Sequence, residues 1–478
     1  IVKKNIFSKQ HDLFIGLDVS KGKADAVIYK RNRDRNVKSK FVRKAIKFKF
    51  TKPGVDEFLD TIRHYKDKDC LSVLFTMEVT GVYSDNVYMY IRDHLQESEA
   101  VKFLDTKFVD RWRDAHGYAK SDPLDAKTIA QMCATDDDAR YVEKAPNYNE
   151  ENNKKGHANL KLLTHRYQQL NKQLNAEYNR LSAQCEKFFP ELTAVFSIRS
   201  ATALAILEAY PTAHHIIKSS KNEVFNVAYE ASKHRCKEAK IDDLFDLCEN
   251  TIVTLNVPKE AELITVEMVS SIRNLLQTRR NYKKMMVNRA SKQPAFKRLQ
   301  TLIGVGEESA AMILGEVYDI ALSKKAENFA SYCGLTPRNK KSGSSVDTHG
   351  KISKMGSPIL RHAIYLASEY ARRHNPYLAN LFARVKNGNK KRHKLAIVAV
   401  ANKMARYIYA ILKHDSDFVL LYEDLMKLPE DTRATFFQSI TTDIPEKTRR
   451  CIYKYSDENG VVHDFTFTGN DSEEQYCM

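Results

Sequence analysis

The chain has 478 residues, a length that favours two or three domains over a single core. It is 43% hydrophobic and 29% charged, and this globular composition excludes a fully disordered chain. A formal net charge of +17 favours a polyanionic partner, with nucleic acid as the leading candidate.

Export and membrane insertion are not indicated. The eight cysteines include no C-x-x-C pair, which argues against a zinc ribbon or a secreted disulfide framework. We find no run of about 18 apolar residues that would span a bilayer. The start, IVKK, lacks the apolar core of a signal peptide, and the missing initiator methionine suggests a trimmed or incomplete N-terminus. We therefore expect a cytoplasmic protein with no membrane partner.

Residues 1–150 are predicted to form an α/β domain. Apolar runs on either side of a Lys-Gly-Lys turn indicate a β-hairpin over residues 11–30, and the alternating KAIKFKF indicates a third strand. Pro53 and Gly54 are expected to break the chain. The later elements are helix 55–65, a strand ending at Glu78, helix 81–95, strand 101–104 and helix 107–116.

Residues 151–290 are predicted to contain two long helices around a helical insert. Apolar residues recur at heptad a and d steps from residue 160 to 181 and again from 268 to 286, a pattern typical of coiled coils. The two helices could pair as an antiparallel hairpin within one chain or across a dimer. Both arrangements remain open from the sequence.

Residues 291–415 are predicted to form a mainly helical third unit, followed by an extension of unknown role at 416–478. The unit opens with LIGVGEESAAMIL, a helix, tight glycine turn and helix that resemble a helix-hairpin-helix element. Its turn amides, at Gly304 and Gly306, could hold a phosphate, or the glycines could only permit close helix packing. A polar basic loop is expected at 336–357, before two further helices.

Four acidic residues are candidates for a metal site. Asp18 and Glu78 each follow an apolar strand, and Asp122 and Asp125 lie three residues apart in a predicted helix that has Pro123 in its first turn. Hard cations such as Mg²⁺ or Mn²⁺ prefer carboxylate oxygens, and two such ions often assist phosphodiester chemistry. Alternatively, Asp122 is only a helix cap and Asp125 a surface acid.

Several motifs in one order resemble the DEDD insertion-sequence transposases, also known as bridge-RNA-guided recombinases. These motifs are FIGLDVSKGKADAVI, MEVTGVY, KSDPLDAKTIA, ATALAILEAYPTAHHI, LIGVGEESAAMIL, FASYCGLTPRNKKSGSS and GKISKMGSPILRHAIY. The resemblance covers roughly residues 11–415. It implies a RuvC-like (RNase H-like) mixed-sheet domain whose metal-binding acids are Asp18, Glu78, Asp122 and Asp125, together with a C-terminal transposase domain.

The resemblance also implies a nucleophilic serine, which maps to Ser342 with Ser344 and Ser345 close by. This serine would attack a DNA phosphodiester and become covalently joined to the strand. Ser357 departs from the family, which usually has Asn there. Cations that surround the serine segment are candidates for nucleic-acid contacts, although a flexible polar loop is the simpler interpretation. These candidates are Arg338, Lys340, Lys341, Lys351, Lys354 and Arg361.

Four functions are consistent with these observations. The first is a transposase that recombines donor and target DNA through a phosphoserine intermediate, guided by a structured RNA and acting as a dimer or tetramer. The second is a two-metal RuvC-like endonuclease or resolvase in which water is the nucleophile. The third is an actin-like sugar kinase or ATPase, which lacks a convincing second phosphate loop here. The fourth is a structural nucleic-acid binder with an inert acidic cluster.

Overall fold

The computed structural model describes residues 11–32, 39–42, 45–68, 71–79, 82–117, 122–135, 141–142, 157–253, 257–317, 320–342, 346–441 and 452–467. The chain divides into two compact units, residues 1–152 and residues 153–478. The first unit is a mixed α/β structure, and the second is mainly helical.

A mixed sheet is the centre of the first unit. Its strand order is β3-β2-β1-β5-β6-β7, and β4 also pairs with β2. The hairpin strands β1 and β2 are antiparallel, whereas β1, β5 and β6 run parallel to one another. The strands are Leu13–Ser20 (β1), Lys23–Lys30 (β2), Lys40–Phe41 (β3), Ile46–Lys49 (β4), Val73–Glu78 (β5), Glu99–Leu104 (β6) and Tyr141–Val142 (β7).

Helices cover both faces of this sheet. Alternate residues of a strand point to opposite faces, so the apolar runs of β1 and β5 supply two cores. One core contains Leu17 and Phe75 with residues of α1 and α2. The other contains Phe14 and Leu74 with residues of α3 and α4. The helices are Lys52–Lys68 (α1), Val82–Asp93 (α2), Thr106–Ala115 (α3) and Asp122–Thr135 (α4).

The predicted elements of this unit are confirmed, with one correction. Pro53 and Gly54 do not break the chain, because α1 already begins at Lys52 and includes both residues in its first turn. Proline is tolerated there, since the first amides of a helix have no partner within it.

Two 32-residue helices, His157–Phe188 (α5) and Lys259–Ala290 (α11), pair antiparallel within the second unit. The start of α5 shares a core with the end of α11, through Leu160 and Met286. The end of α5 approaches the start of α11, where Gln184 Nε2 donates to the Ala261 carbonyl over 3.2 Å. The intramolecular hairpin left open by the heptad pattern is therefore the arrangement found.

The segment between these long helices is helical, as predicted. Its helices pack against the half of the helix pair formed by the later part of α5 and the earlier part of α11. They share a core with Leu181, Val269 and Ile272. They are Pro190–Val195 (α6), Ala201–Ala209 (α7), Ala213–Lys218 (α8), Lys221–Ala231 (α9) and Glu238–Glu249 (α10).

A second apolar core lies at the other end of the helix pair. Phe296, Ile313, Phe329, Ile364 and Met404 are buried there. The helices around it are Pro294–Gln300 (α12), Glu307–Glu316 (α13), Ala326–Tyr332 (α14), Pro358–His374 (α15), Pro376–Lys386 (α16) and His393–His414 (α17), with 3-10 turns at Ile320–Leu322 and Lys390–Arg392.

The segment predicted as a polar loop at 336–357 is instead largely a β-hairpin. Pro337–Ser342 (β8) pairs antiparallel with Val346–Ile352 (β9). Strands made mostly of charged and polar residues lack the apolar alternation from which strands are recognised, so the sequence pattern missed this hairpin.

The C-terminal extension is folded, which the sequence did not indicate. Its core joins Phe436 and Phe465 to Ile303, which comes from the turn before α13. The sheet order is β10-β12-β13-β11. Its elements are Val419–Leu420 (β10), Tyr422–Met426 (α18), Glu430–Ser439 (α19), Ile440–Thr441 (β11), Tyr453–Ser456 (β12) and Val462–Phe467 (β13).

Contrary to the sequence expectation, one helix among the described residues has the length and apolar composition to cross a membrane. It spans Lys390–His414. Half of its most apolar window is buried inside the fold, and Ile397, Val400 and Met404 belong to the core of the second unit. This is the behaviour of a core helix.

Candidate active site

Asp18 and Glu78 lie side by side on neighbouring strands. The parallel register of β1 and β5 pairs Gly16 with Thr76 and Leu17 with Met77, so Asp18 and Glu78 come next on the two strands. By alternation, both share the face that carries Phe14 and Leu74. The α3 and α4 helices cover this face.

Gly16 brings α4 close to the acidic strand ends. A Cβ at Gly16 would lie 2.1 Å from the Ala126 carbonyl oxygen and 2.5 Å from the Ala130 amide nitrogen. Only a residue without a side chain allows the helix backbone to approach β1 this closely. As a result Asp125, in the first turns of α4, is buried at 8% exposure on the acidic face.

Arg113 of α3 joins two of the acids. Its Nη2 lies 3.5 Å from Glu78 Oε1 and 3.0 Å from Asp125 Oδ1, and its Nη1 lies 3.1 Å from Asp110 Oδ1. Glu78 and Asp125 therefore converge on one nitrogen of the positively charged guanidinium. Arg113 itself is 6% exposed.

Glu78 is an unusually weak acid in this setting. Burial raises its pKa to about 7, and the negative charges of Asp110, Asp125 and Asp18 act in the same direction, while Arg113 opposes them. A buried carboxylate with like-charged neighbours is stabilised in its ionised form by an added cation.

The donor set suits a hard divalent cation, because it consists of carboxylates on one face. Glu78 and Asp125 already share one guanidinium nitrogen, Arg113 Nη2. Within the residues that the structure describes, no three His, Cys, Asp or Glu side chains are grouped as a metal site. The α4 helix begins at Asp122 as predicted, but the Asp122 side chain is outside the described part of the chain.

Sequence reasoning missed Asp25 and Arg113. Asp25 lies directly opposite Asp18 in the β1–β2 register and is only 5% exposed, with Lys47 Nζ 3.5 Å from its Oδ1. The tight turn at 21–22 could have revealed it, because that turn fixes the pairing of residues 18 and 25. Arg113 gives no such signal, since Glu78 and Asp125 come from other elements.

The candidate serine belongs to the second unit. Ser342 is the last residue of β8, and its backbone pairs with Val346. Its alternatives Ser344 and Ser345 lie outside the described residues, as do the side chains of Arg338, Lys340, Lys341 and Lys351.

The backbone at the base of this hairpin, its root, is closely packed. Gly356 adopts a φ of +110°, and a Cβ there would lie 1.9 Å from the Tyr332 carbonyl oxygen. Arg361 Nη1 donates to the Cys333 carbonyl over 3.4 Å, so this candidate phosphate ligand reaches the base of the hairpin. Lys354 is exposed beside it, with a φ of 52°.

The two turn glycines differ. Gly304 has a φ of +104°, and a Cβ there would lie 2.4 Å from the Ala367 carbonyl oxygen, so it serves close packing on α15. Gly306 precedes α13 and has nothing within 4 Å of the Cβ position. Gly304 is therefore needed for close helix packing, whereas the space around Gly306 is open.

Two family models match in chain order. A model for DEDD transposases of the IS110 type, described as transposase, matches residues 15–190. A second, described as the transposase IS116/IS110/IS902 family, matches residues 296–383. The chain belongs to this transposase family. The first match contains the four candidate acids, and the second contains Ser342 and Arg361.

Similarity to individual proteins supports this family membership. The chain is 24% identical over 300 residues to the insertion element IS110 uncharacterized 43.6 kDa protein of Streptomyces coelicolor, covering 62% of this chain and 71% of the relative. It is 30% identical over 139 residues to a putative transposase, y4pF/y4sB, of Sinorhizobium fredii, covering 27% and 34%. It is 26% identical over 120 residues to a pilin gene-inverting protein of Moraxella bovis, covering 25% and 37%. This chain thus spans about a third of the latter two.

Proposed function

We propose that this transposase cuts and rejoins DNA through a covalent serine–DNA intermediate, with the carboxylates Asp18, Glu78, Asp122 and Asp125 assisting through bound Mg²⁺ or Mn²⁺. The observation that carries the proposal is the placement of Asp18, Glu78 and Asp125 on one sheet face at adjacent strand ends. Family membership supplies the reaction class, DNA strand transfer.

The fold of the first unit supports an RNase H-like (RuvC-like) assignment. Its central order, β3-β2-β1-β5-β6, has an antiparallel hairpin followed by parallel strands, with Asp18 near the end of β1 and Glu78 at the end of β5. We place the catalytic domain at residues 1–150, the helix pair at 151–290, the serine domain at 291–415 and the extension at 416–478.

In the proposed reaction, Ser342 Oγ loses its proton and attacks a DNA phosphodiester. A bond forms from this oxygen to phosphorus, the bond from phosphorus to the sugar oxygen breaks, and the sugar oxygen takes up a proton and leaves as a hydroxyl. Resealing is the reverse attack by a sugar hydroxyl of the new strand, which releases the serine. Mg²⁺ or Mn²⁺ held by these carboxylates would offset negative charge as the phosphodiester is attacked. Arg361 and Lys354, at the hairpin root, are suited to bind the flanking phosphates.

Charge on the helix pair supports a nucleic-acid backbone as partner. The first part of α5, residues 157–176, and the second part of α11, residues 268–290, contain no acidic residue. Arg280, Lys283 and Lys284 are exposed there, whereas the opposite end of α11 has Glu260, Glu262 and Glu267. We infer that this end binds DNA or the structured guide RNA, in a cytoplasmic dimer or tetramer.

A two-metal endonuclease that uses water is the second candidate, because its mechanism requires the metal-binding carboxylates and no serine. The discriminating residue is Ser342. The test uses the full chain, with a plasmid that contains the DNA flanking its gene and RNA transcribed from that DNA. We expect a covalent protein–DNA adduct that Ser342→Ala abolishes, and Asp18→Ala should abolish cleavage under both hypotheses. Full cleavage by Ser342→Ala with no adduct would falsify the serine mechanism, provided that Ser344→Ala and Ser345→Ala are equally active.

A further inference from the structure

Arg113 contacts two acids of the carboxylate face. Its Nη2 contacts Glu78 at 3.5 Å and Asp125 at 3.0 Å, and these are two of the residues assigned to metal binding. The side chains are 14% exposed for Glu78 and 11% for Asp125, so water screens these charges poorly.

A purely structural role explains this arginine poorly. Burying a guanidinium is costly unless its donors are satisfied. Arg113 is 6% exposed, yet its Nε has no hydrogen-bond partner among the described residues. Within the described part of the chain, its two terminal nitrogens contact carboxylates. The side chain is therefore placed for its charge rather than for a complete set of hydrogen bonds.

We propose that Arg113 is a resident counter-cation: it holds Glu78 and Asp125 together in the metal-free protein, and a divalent cation that binds there displaces its Nη2. This inference rests on the proposed metal site. Mg²⁺ needs these oxygens at about 2.0–2.1 Å, and a guanidinium cannot keep the same oxygens beside it without strong charge repulsion.

Asp110 gives the displaced arginine an alternative partner. It lies one turn before Arg113 on α3, contacts Nη1 at 3.1 Å, and its side chain is 50% exposed. Arg113 can therefore keep this ion pair while Nη2 leaves the site. The exchange needs a side-chain movement only, with α3 left in place.

The test measures metal binding without any nucleic acid. The melting temperature of the full chain is followed against Mn²⁺ concentration for wild type, Arg113→Gln and Arg113→Lys. Arg111→Gln, exposed on the same helix, is the control with the same change in charge. We expect Arg113→Gln to melt lower without metal but to half-saturate at an about ten-fold lower Mn²⁺ concentration, equivalent to losing about 1.4 kcal/mol of competition.

Arg113→Lys should shift the half-saturation less, in the same direction, and it stands in for Arg113→Gln should the latter not fold. Arg111→Gln should not shift it. Half-saturation that is unchanged or raised in the Arg113 variants would overturn the counter-cation role while leaving the metal site intact. A wild-type chain whose melting does not respond to Mn²⁺ or Mg²⁺ would instead overturn the metal site itself, and this inference with it.

Discussion

Ser357 Oγ donates a 2.6 Å hydrogen bond to Glu316 Oε2, so the residue that caps α15 also holds the last residue of α13. The same hydroxyl accepts from the Leu360 amide at 3.1 Å. Glu316 is 6% exposed and also contacts His165 Nε2 at 2.7 Å. Although burial alone would raise the pKa of Glu316, the hydrogen bonds from His165 and Ser357 hold it below its usual value.

Ser357→Ala should therefore lower the free energy of unfolding of the second unit by about 1–3 kcal/mol, because it removes a helix cap and leaves a buried carboxylate short of a donor. Urea denaturation measures this. Ser357→Thr, which keeps the hydroxyl, is the control. Equal stability of the alanine and threonine variants would contradict the role assigned to this hydroxyl.

Gly16→Ala should destabilise the first unit by about 1–3 kcal/mol or more, because the new Cβ would meet the backbone of α4. It should also reduce DNA cleavage, since α4 positions Asp125. Gly306→Ala, which has open space around its Cβ position, is the matched substitution and should leave stability unchanged. If both variants unfold at the same denaturant concentration as wild type, the close approach of α4 to β1 is wrong.

Glu78 should make the metal-free protein less stable as pH rises. Its pKa is raised to about 7 in the folded state from an ordinary value of 4.5, so the native state holds the extra proton between these values. Unfolding free energy should therefore fall across this window and level off above it, by roughly 3 kcal/mol at most.

The measurement compares urea denaturation of wild type and Glu78→Gln at about pH 5 and about pH 8. The glutamine variant should lose this part of the pH dependence. Asp110→Asn, which alters a neighbouring and more exposed acid, should retain most of it. If the unfolding free energy of wild type instead rises from about pH 5 to about pH 8, and Glu78→Gln removes that rise, the predicted direction of the pH dependence is wrong.

The basic end of the helix pair should contribute to nucleic-acid affinity. Arg280 and Lys284 are four residues apart and exposed on one side of α11. Replacing both with Glu should weaken binding to a fluorescent DNA duplex and reduce the slope of log affinity against log salt by about 1–2. Lys187→Glu with Lys259→Glu makes the same change in charge at the other end. Equal losses in the two double variants would mean that only net charge matters.

Much of the catalytic unit could be predicted from the sequence. The β1–β2 hairpin and β5 follow from runs of apolar residues, and α4 follows from the proline in its first turn. Asp18, near the end of β1, and Glu78, at the end of β5, must then lie near each other, because neighbouring parallel strands end at the same edge. Gly16 determines how closely α4 follows, and only its surroundings in the fold reveal that.

Other features could not be predicted, for specific reasons. Arg113 gains its role from partners on β5 and α4, and long-range ion pairs leave no local pattern. The β8–β9 hairpin is polar along its length, so periodicity does not distinguish it from a loop. The extension has short strands, and its apolar core includes Ile303, which lies more than 100 residues earlier in the chain.

Ile303 packs in the core of the extension and so joins the extension to the turn before α13. The Phe418 amide donates to Thr301 Oγ1 over 2.7 Å, and Tyr377 donates to the Leu421 carbonyl over 2.9 Å. A shared core means that the extension and the helices beneath it should melt in one cooperative transition. A gene truncated after Asp415 would therefore encode a protein with uncovered aromatic surface and a tendency to aggregate.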